Sequence, residues 1–201
     1  MTGPIVKRLS VTAVATAAAL AFSLSAFAAG GGGGGGGSGG GGGNSGGGGS
    51  GGDTPTKTTQ QCKNGKVWKE SKKKCITPTK ASFNDKELYD AGEEFAYAGQ
   101  YENAITTLKL VSNQNDPRVL NYLGYSNRKA GRMDLGMNYY AKALSIDPDF
   151  ILARSYMGQA LLLQGDVEGA KVQLVEIRDR GGQGTYAYQA LYDSLKRIKS
   201  Y

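Results

Sequence analysis

The pattern of apolar and polar positions divides the chain into four zones. The first apolar run extends from Leu9 to about Leu24, directly after Lys7 and Arg8, and ends on Ala26-Phe27-Ala28. From Gly30 to Gly52 there is nothing to bury: 19 of 23 positions are glycine, interrupted only by Ser38, Asn44, Ser45 and Ser50. A third, brief zone holds Val67, Trp68 and Ile76 between Cys62 and Cys75, with Asn64-Gly65 as a turn signal. From about residue 84 onward apolar residues recur at three- and four-residue intervals, which predicts amphipathic helices.

That last zone repeats itself. Gly92, Gly124 and Gly158 are separated by 32 and then 34 residues, and so are Gly99, Gly131 and Gly165. One helix surrounds each glycine of the first set, as in Leu88-x-x-Ala91-Gly92-x-x-Phe95 and Leu120-x-x-Leu123-Gly124. Another starts just after each glycine of the second set, as in Gly99-Gln100-Tyr101-x-x-Ala104-x-x-x-Leu108 and Gly165-Asp166-Val167-x-x-Ala170-x-x-x-Leu174. A self-similar period of this length is the signature of stacked helix-turn-helix units.

With Tyr139-Tyr140-Ala141-Lys142-Ala143-Leu144-Ser145-Ile146-Asp147-Pro148 as the strongest stretch, the pattern resembles the tetratricopeptide-repeat (TPR) family. The resemblance implies an all-α, right-handed superhelical array of seven helices: about three repeats over residues 84–184 and a capping helix at 185–201. The residues themselves account for the columns. Gly92, Gly124, Gly158, Ala104, Gly136 and Ala170 let paired helices approach, and Asp116-Pro117 and Asp147-Pro148 supply capping side chains and a proline suited to a first turn. Asn127, Arg154 and Gly136 depart from the family's usual residues. A terminal repeat leaves an apolar face open, and Tyr188, Leu191, Leu195 and Ile198 make the stripe that covers it.

The first zone has the form of a secretory signal peptide, residues 1–28, with cleavage before Ala29. An uncleaved anchor is the rival reading, disfavoured because the run is short and rich in Ala, Thr and Ser. A periplasmic or secreted location is expected. The glycine-rich linker, residues 29–60, is expected to be disordered, its Gly30–Gly52 stretch a coil spanning about 25 Å. Residues 61–80 are read as a Lys-rich hairpin closed by a Cys62–Cys75 disulfide, which could stabilise so small a unit by about 3 kcal/mol. Trp68 is read as covering that disulfide, with sugar stacking as the alternative.

Charge changes the picture only by its distribution. The formal net charge is +7, but residues 53–80 carry eight lysines against Asp53 and Glu70, whereas residues 81–201 carry fourteen basic and fifteen acidic side chains. The helical part is close to neutral, so nucleic acid is not expected as a partner. There is no histidine, and no nucleophile–base pair or metal-ligand spacing stands out; neither an enzyme, a cofactor nor a metal is expected.

In TPR proteins the first helix of each repeat lines a concave face. Carried over residue by residue, that face comprises Lys86, Tyr89, Glu93 and Tyr97, then Arg118, Asn121, Tyr125, Arg128 and Lys129, then Leu152, Ser155, Gln159 and Leu163. Arg118, Arg128 and Lys129 around Tyr125 suit an acidic or carboxylate-bearing peptide. Lysine and asparagine clamps for a C-terminal dicarboxylate are missing, since Tyr89, Glu93, Tyr122 and Tyr156 stand in their places. The expected function is an exported, monomeric interaction module that binds a protein or peptide partner. The alternative is a structural envelope component whose Gly-rich and Lys-rich segments make peripheral contact with wall or membrane.

Overall fold

The computed structural model describes residues 58–199. The candidate signal peptide and the glycine-rich stretch lie outside the described residues. One helical turn, α1 (Thr58–Gln61), leads into an antiparallel hairpin of β1 (Val67–Lys69) and β2 (Lys74–Ile76), bridged by a 3-10 turn at Glu70–Lys72. Val67 pairs with Ile76, Trp68 with Cys75 and Lys69 with Lys74. The Cys62–Cys75 disulfide closes the unit with its Cα atoms 5.5 Å apart. Seven longer helices follow: α2 (Asp85–Tyr97), α3 (Tyr101–Leu108), α4 (Pro117–Lys129), α5 (Met133–Ile146), α6 (Ile151–Leu163), α7 (Val167–Asp179) and α8 (Tyr186–Lys199). Helices α2/α3, α4/α5 and α6/α7 pack as hairpins, and α8 packs on α6 and α7.

The two glycine columns have different physical causes. A Cβ on Gly124 would lie 2.7 Å from the Tyr140 ring, and one on Gly136 would lie 2.9 Å from the Gly124 carbonyl oxygen, so α4 and α5 meet almost backbone to backbone. Gly99, Gly131 and Gly165 instead take φ of 75°, 85° and 85°. There each helix is ended by a bond reaching back five residues, from the Gln100, Arg132 and Asp166 amides to the Phe95, Asn127 and Leu161 carbonyls at 2.8, 2.9 and 2.9 Å. A left-handed residue is required at that point, and glycine adopts it without strain.

Helix starts are less uniform than the sequence suggests. Asn84 and Glu87 form a reciprocal capping box on α2. Asp116 accepts from the Arg118 amide at 2.9 Å, with Pro117 opening α4. Asp147 does not cap α6: it accepts from the Asp149 amide at 3.1 Å, and the helix begins only at Ile151. The cause is Arg154, whose guanidinium donates twice to the Pro148 carbonyl at 3.0 and 2.7 Å and holds that segment as a loop. Asn127, buried at another departure from the family pattern, is satisfied by donating to the Leu123 carbonyl and accepting from Arg132 Nε, both at 2.7 Å.

Both ends of the array are covered. Read from sequence, the hairpin is a separate unit; in the structure Val67 and Phe83 are buried in one core with Leu88, Phe95, Leu108 and Leu123, and Ile76 packs on it. Lys69 bonds Glu87 at 2.8 Å, and the Thr59 amide donates to Glu94 at 2.6 Å, so residues assigned to the linker take part in the fold. At the far end Leu191 and Leu195 are buried with Ala170 and Ile177. Ile198, expected in the stripe, remains 41% exposed, and Ala187, one turn before Leu191, is buried at 7%. Among the described residues no helix is long and apolar enough to cross a membrane, and no side-chain cluster could hold a metal ion.

Candidate functional site

Helices α2, α4 and α6 present successive first-helix faces, and α8 folds back to form an opposing wall. Between them lies a concavity of about 380 Å³, lined by Tyr97, Tyr125, Lys129, Tyr156 and Gln159 and, across from them, by Tyr186, Asp193 and Arg197. The position of α8 is fixed by a buried bond: Ser155 Oγ donates to the Ala187 carbonyl at 2.6 Å.

The dominant feature is a band of tyrosines crossing all three repeats. Tyr89 meets Tyr122 edge-on at 5.9 Å between centroids, Tyr122 meets Tyr97 at 5.6 Å, Tyr97 meets Tyr125 at 6.1 Å and Tyr125 meets Tyr156 at 4.9 Å. Such tilted and edge-to-face pairs contribute about 0.5–1.5 kcal/mol each beyond burial. Three of the hydroxyls are also joined. Tyr97 Oη lies 2.8 Å from Tyr122 Oη and 3.1 Å from Tyr156 Oη, and Tyr122 donates onward to the Glu93 carboxylate. Burial, and for Tyr122 the Glu93 carboxylate that takes its hydrogen bond, pushes the Tyr89, Tyr122 and Tyr156 phenols well above their ordinary range. They stay protonated, so the band offers neutral ring surface with the Tyr97, Tyr122 and Tyr156 hydroxyls already engaged.

The structure sorts the residues read from sequence. Tyr97, Tyr125, Lys129, Ser155 and Gln159 line the concavity, and Tyr89 and Glu93 lie behind it in the tyrosine network. Lys86 is not brought to it; it sits at the first turn of α2, paired with Asp90 at 2.6 Å. Of the expected trio of cations around Tyr125, Arg128 and Lys129 lie over its ring at 5.5 and 5.8 Å from the centroid, while Arg118 is elsewhere. Arg118 is held by two bonds to Asp116, at 3.1 and 2.7 Å, and stacks over Tyr89. Arg128 is only 7% exposed, wedged into the α4/α5 seam with Nε 3.3 Å from Tyr140 Oη. Asn121 is wholly buried, and its side chain makes no hydrogen bond to the protein. Ser155 is likewise buried, with its hydroxyl spent on anchoring α8.

Tyr122 and Tyr156 were not among the residues assigned to the face. They stand 34 apart, one position along from Asn121 and Ser155; recurrence of the same aromatic at the repeat period was the available signal.

The sequence matches no family model and none of the curated proteins. Solved structures are more informative. The chain is similar to the type III secretion translocator chaperone SycD of Yersinia enterocolitica, with a TM-score of 0.50 and 20% identity over 57% of this chain and 83% of that one. It is equally similar to SycD in complex with a peptide of the translocator YopD, with a TM-score of 0.50 and 19% identity over 57% of this chain and 92% of that one. At this identity the likeness speaks for the fold alone, and the fold it shows is a TPR-like helical array.

Proposed function

We propose that this chain is an exported, non-enzymatic interaction module that holds a segment of a partner protein in the groove between the tyrosine band and α8. The observation that carries the reading is the groove itself: the partly exposed rings of Tyr97 and Tyr125, backed by the buried Tyr156 of the third repeat and faced by a wall bearing Tyr186, Asp193 and Arg197. Tyrosine supplies large contact area at little entropic cost and is the residue type most enriched where binding energy concentrates. That a fold of this kind has been solved with a peptide of another protein supports the same reading.

Acidity of the partner is no longer the leading expectation. The groove sets Lys129 and Arg197 against Asp193, a mixed rather than cationic lining. Export rests on the Lys7-Arg8 and Ala26-Phe27-Ala28 pattern, and the disulfide suits an oxidising compartment. A mass of the recovered protein beginning at Ala29 is the expected result, and a retained leader would remove that part of the proposal.

The groove is tested by panning a displayed random-peptide library on the full-length protein and titrating the selected peptides. Tyr97→Ala should weaken binding by about tenfold or more, because the ring is 58% exposed in the groove; since its hydroxyl also bonds Tyr122 and Tyr156, thermal melts check that the variant folds. Selected peptides that bind Tyr97→Ala and Tyr125→Ala as tightly as the parent place the site elsewhere.

A further inference from the structure

Residues 61–80 contain seven lysines and no arginine. Two are paired, Lys69 with Glu87 and Lys73 with Glu70. The other five, Lys63, Lys66, Lys72, Lys74 and Lys80, are exposed and have no ion-pair partner among the described residues. In the longer helical array Arg118, Arg132, Arg154, Arg178 and Arg180 each meet an Asp or Glu, while Lys109, Arg128, Lys129, Lys142 and Lys196 have no ion-pair partner among the described residues. Unpaired positive charge is thinly scattered over the array and dense on the hairpin.

These lysines are not on a loose tail. The disulfide ties α1 to β2, Val67 is 2% exposed in the first-repeat core, and the Gly65 turn abuts α3 so closely that a Cβ there would lie 2.7 Å from Asn103 Oδ1. Lys73 occupies a left-handed position, φ 47°, which glycine or asparagine adopts at lower cost. The charges are therefore presented from a fixed platform at the α2/α3 end of the array, on a different element from the tyrosine groove.

We propose that this hairpin docks on the anionic surface of a lipid bilayer. Lysine is a hydrated point charge without the planar fork that matches one carboxylate or phosphate, so a cluster made of lysine alone suits a continuous sheet of charge better than a single anionic group. A lysine within about one Debye length of such a surface, roughly 8 Å, feels its potential. Each lysine so placed raises the partition coefficient about fivefold.

The test is co-sedimentation of the full-length mature protein with phosphatidylcholine vesicles, with and without phosphatidylglycerol, at low and raised salt. Binding is expected only to the phosphatidylglycerol vesicles, and it should weaken as salt rises. The triple variant Lys63→Gln, Lys66→Gln, Lys74→Gln should lose affinity on the order of a hundredfold. The matched variant Lys109→Gln, Lys142→Gln, Lys196→Gln, which removes the same charge from the array, should bind within about twofold of the parent. Thermal melts show that the variants fold, and Lys72→Gln with Lys80→Gln serves as a second hairpin variant should the first melt early. Equal losses from both triple variants, equal binding to neutral vesicles, no binding at all, or full displacement from vesicles by soluble polyphosphate at equal phosphate would each overturn the proposal.

Discussion

Arg128 reads as a groove cation in the sequence and is a seam residue in the fold, so charge reversal there should damage stability before it touches binding. The side chain is 7% exposed, and its guanidinium has one hydrogen bond to the protein, a long one at 3.3 Å to Tyr140. Replacing it with Glu puts a carboxylate into that seam, where an uncompensated buried charge costs about 3–5 kcal/mol. A negative charge in the last turn of α4, facing the carbonyl end of the helix, adds about 0.5 kcal/mol. The Tyr140 hydroxyl can donate to the new carboxylate and offset about 1.5 kcal/mol. The balance is a loss of about 3 kcal/mol, which for a domain of this size lowers Tm by roughly 10 °C. Arg128→Met keeps the apolar stem and removes a buried Nη2 that has no hydrogen-bond partner in the protein, so it should stay within about 1 kcal/mol of the parent. Urea unfolding of the three proteins, followed by circular dichroism, measures both differences. Arg128→Glu unfolding together with the parent would refute the seam assignment and return Arg128 to the binding face.

Asn121→Leu should stabilise the fold by about 1 kcal/mol, because a side chain of the same branched shape replaces a fully buried amide without partners; a lower urea midpoint would contradict this. A fragment of residues 84–201 should be less stable than 58–201 by at least about 3 kcal/mol, since it lacks Val67 and Phe83, 2% and 4% exposed in the parent core; coincident melts would show that the hairpin covers nothing of consequence. For Asp116, burial works to raise the pKa, but hydrogen bonds from the Arg118 side chain and amide outweigh it and hold the carboxyl below its ordinary value. Its stabilising contribution is therefore present above the unfolded carboxylate range, about pH 4, and lost as pH falls through the lower folded value. Asp116→Asn should flatten the acid limb of Tm against pH, and superimposable acid limbs would count against the pairing.

The repeat architecture was legible because steric necessity fixes its markers. Gly124 and Gly136 sit where two backbones touch, and Gly99, Gly131 and Gly165 sit where the chain must turn left-handed, so glycine recurs at the repeat period at Gly124 and at the turns, and a small residue, Ala104 or Ala170, matches Gly136. Leu191 and Leu195 likewise announced the terminal helix. The site was harder to read. Neighbouring positions on a helix differ by about 100°, and the step from Asn121 to Tyr122, or from Ser155 to Tyr156, separates a buried contact from the tyrosine network. Arg128 was misread because arginine is usually exposed, and no local pattern reveals that Tyr140, twelve residues on, will enclose it. Docking of the hairpin on α2 and return of α8 along α6 are long-range contacts, and they decide which side chains remain open.

Tyr97 belongs to the first repeat and Tyr156 to the third, yet their hydroxyls are 3.1 Å apart. In a linear repeat array each unit touches only its neighbours, and stability is a sum of units and adjacent interfaces. A direct bond between first and third units closes that line into a ring of dependencies: opening α2 takes a contact from α6 as well as from α4. Local fraying from the N-terminal end is thereby penalised twice, and the three repeats should lose amide-exchange protection together as one cooperative unit instead of one after another.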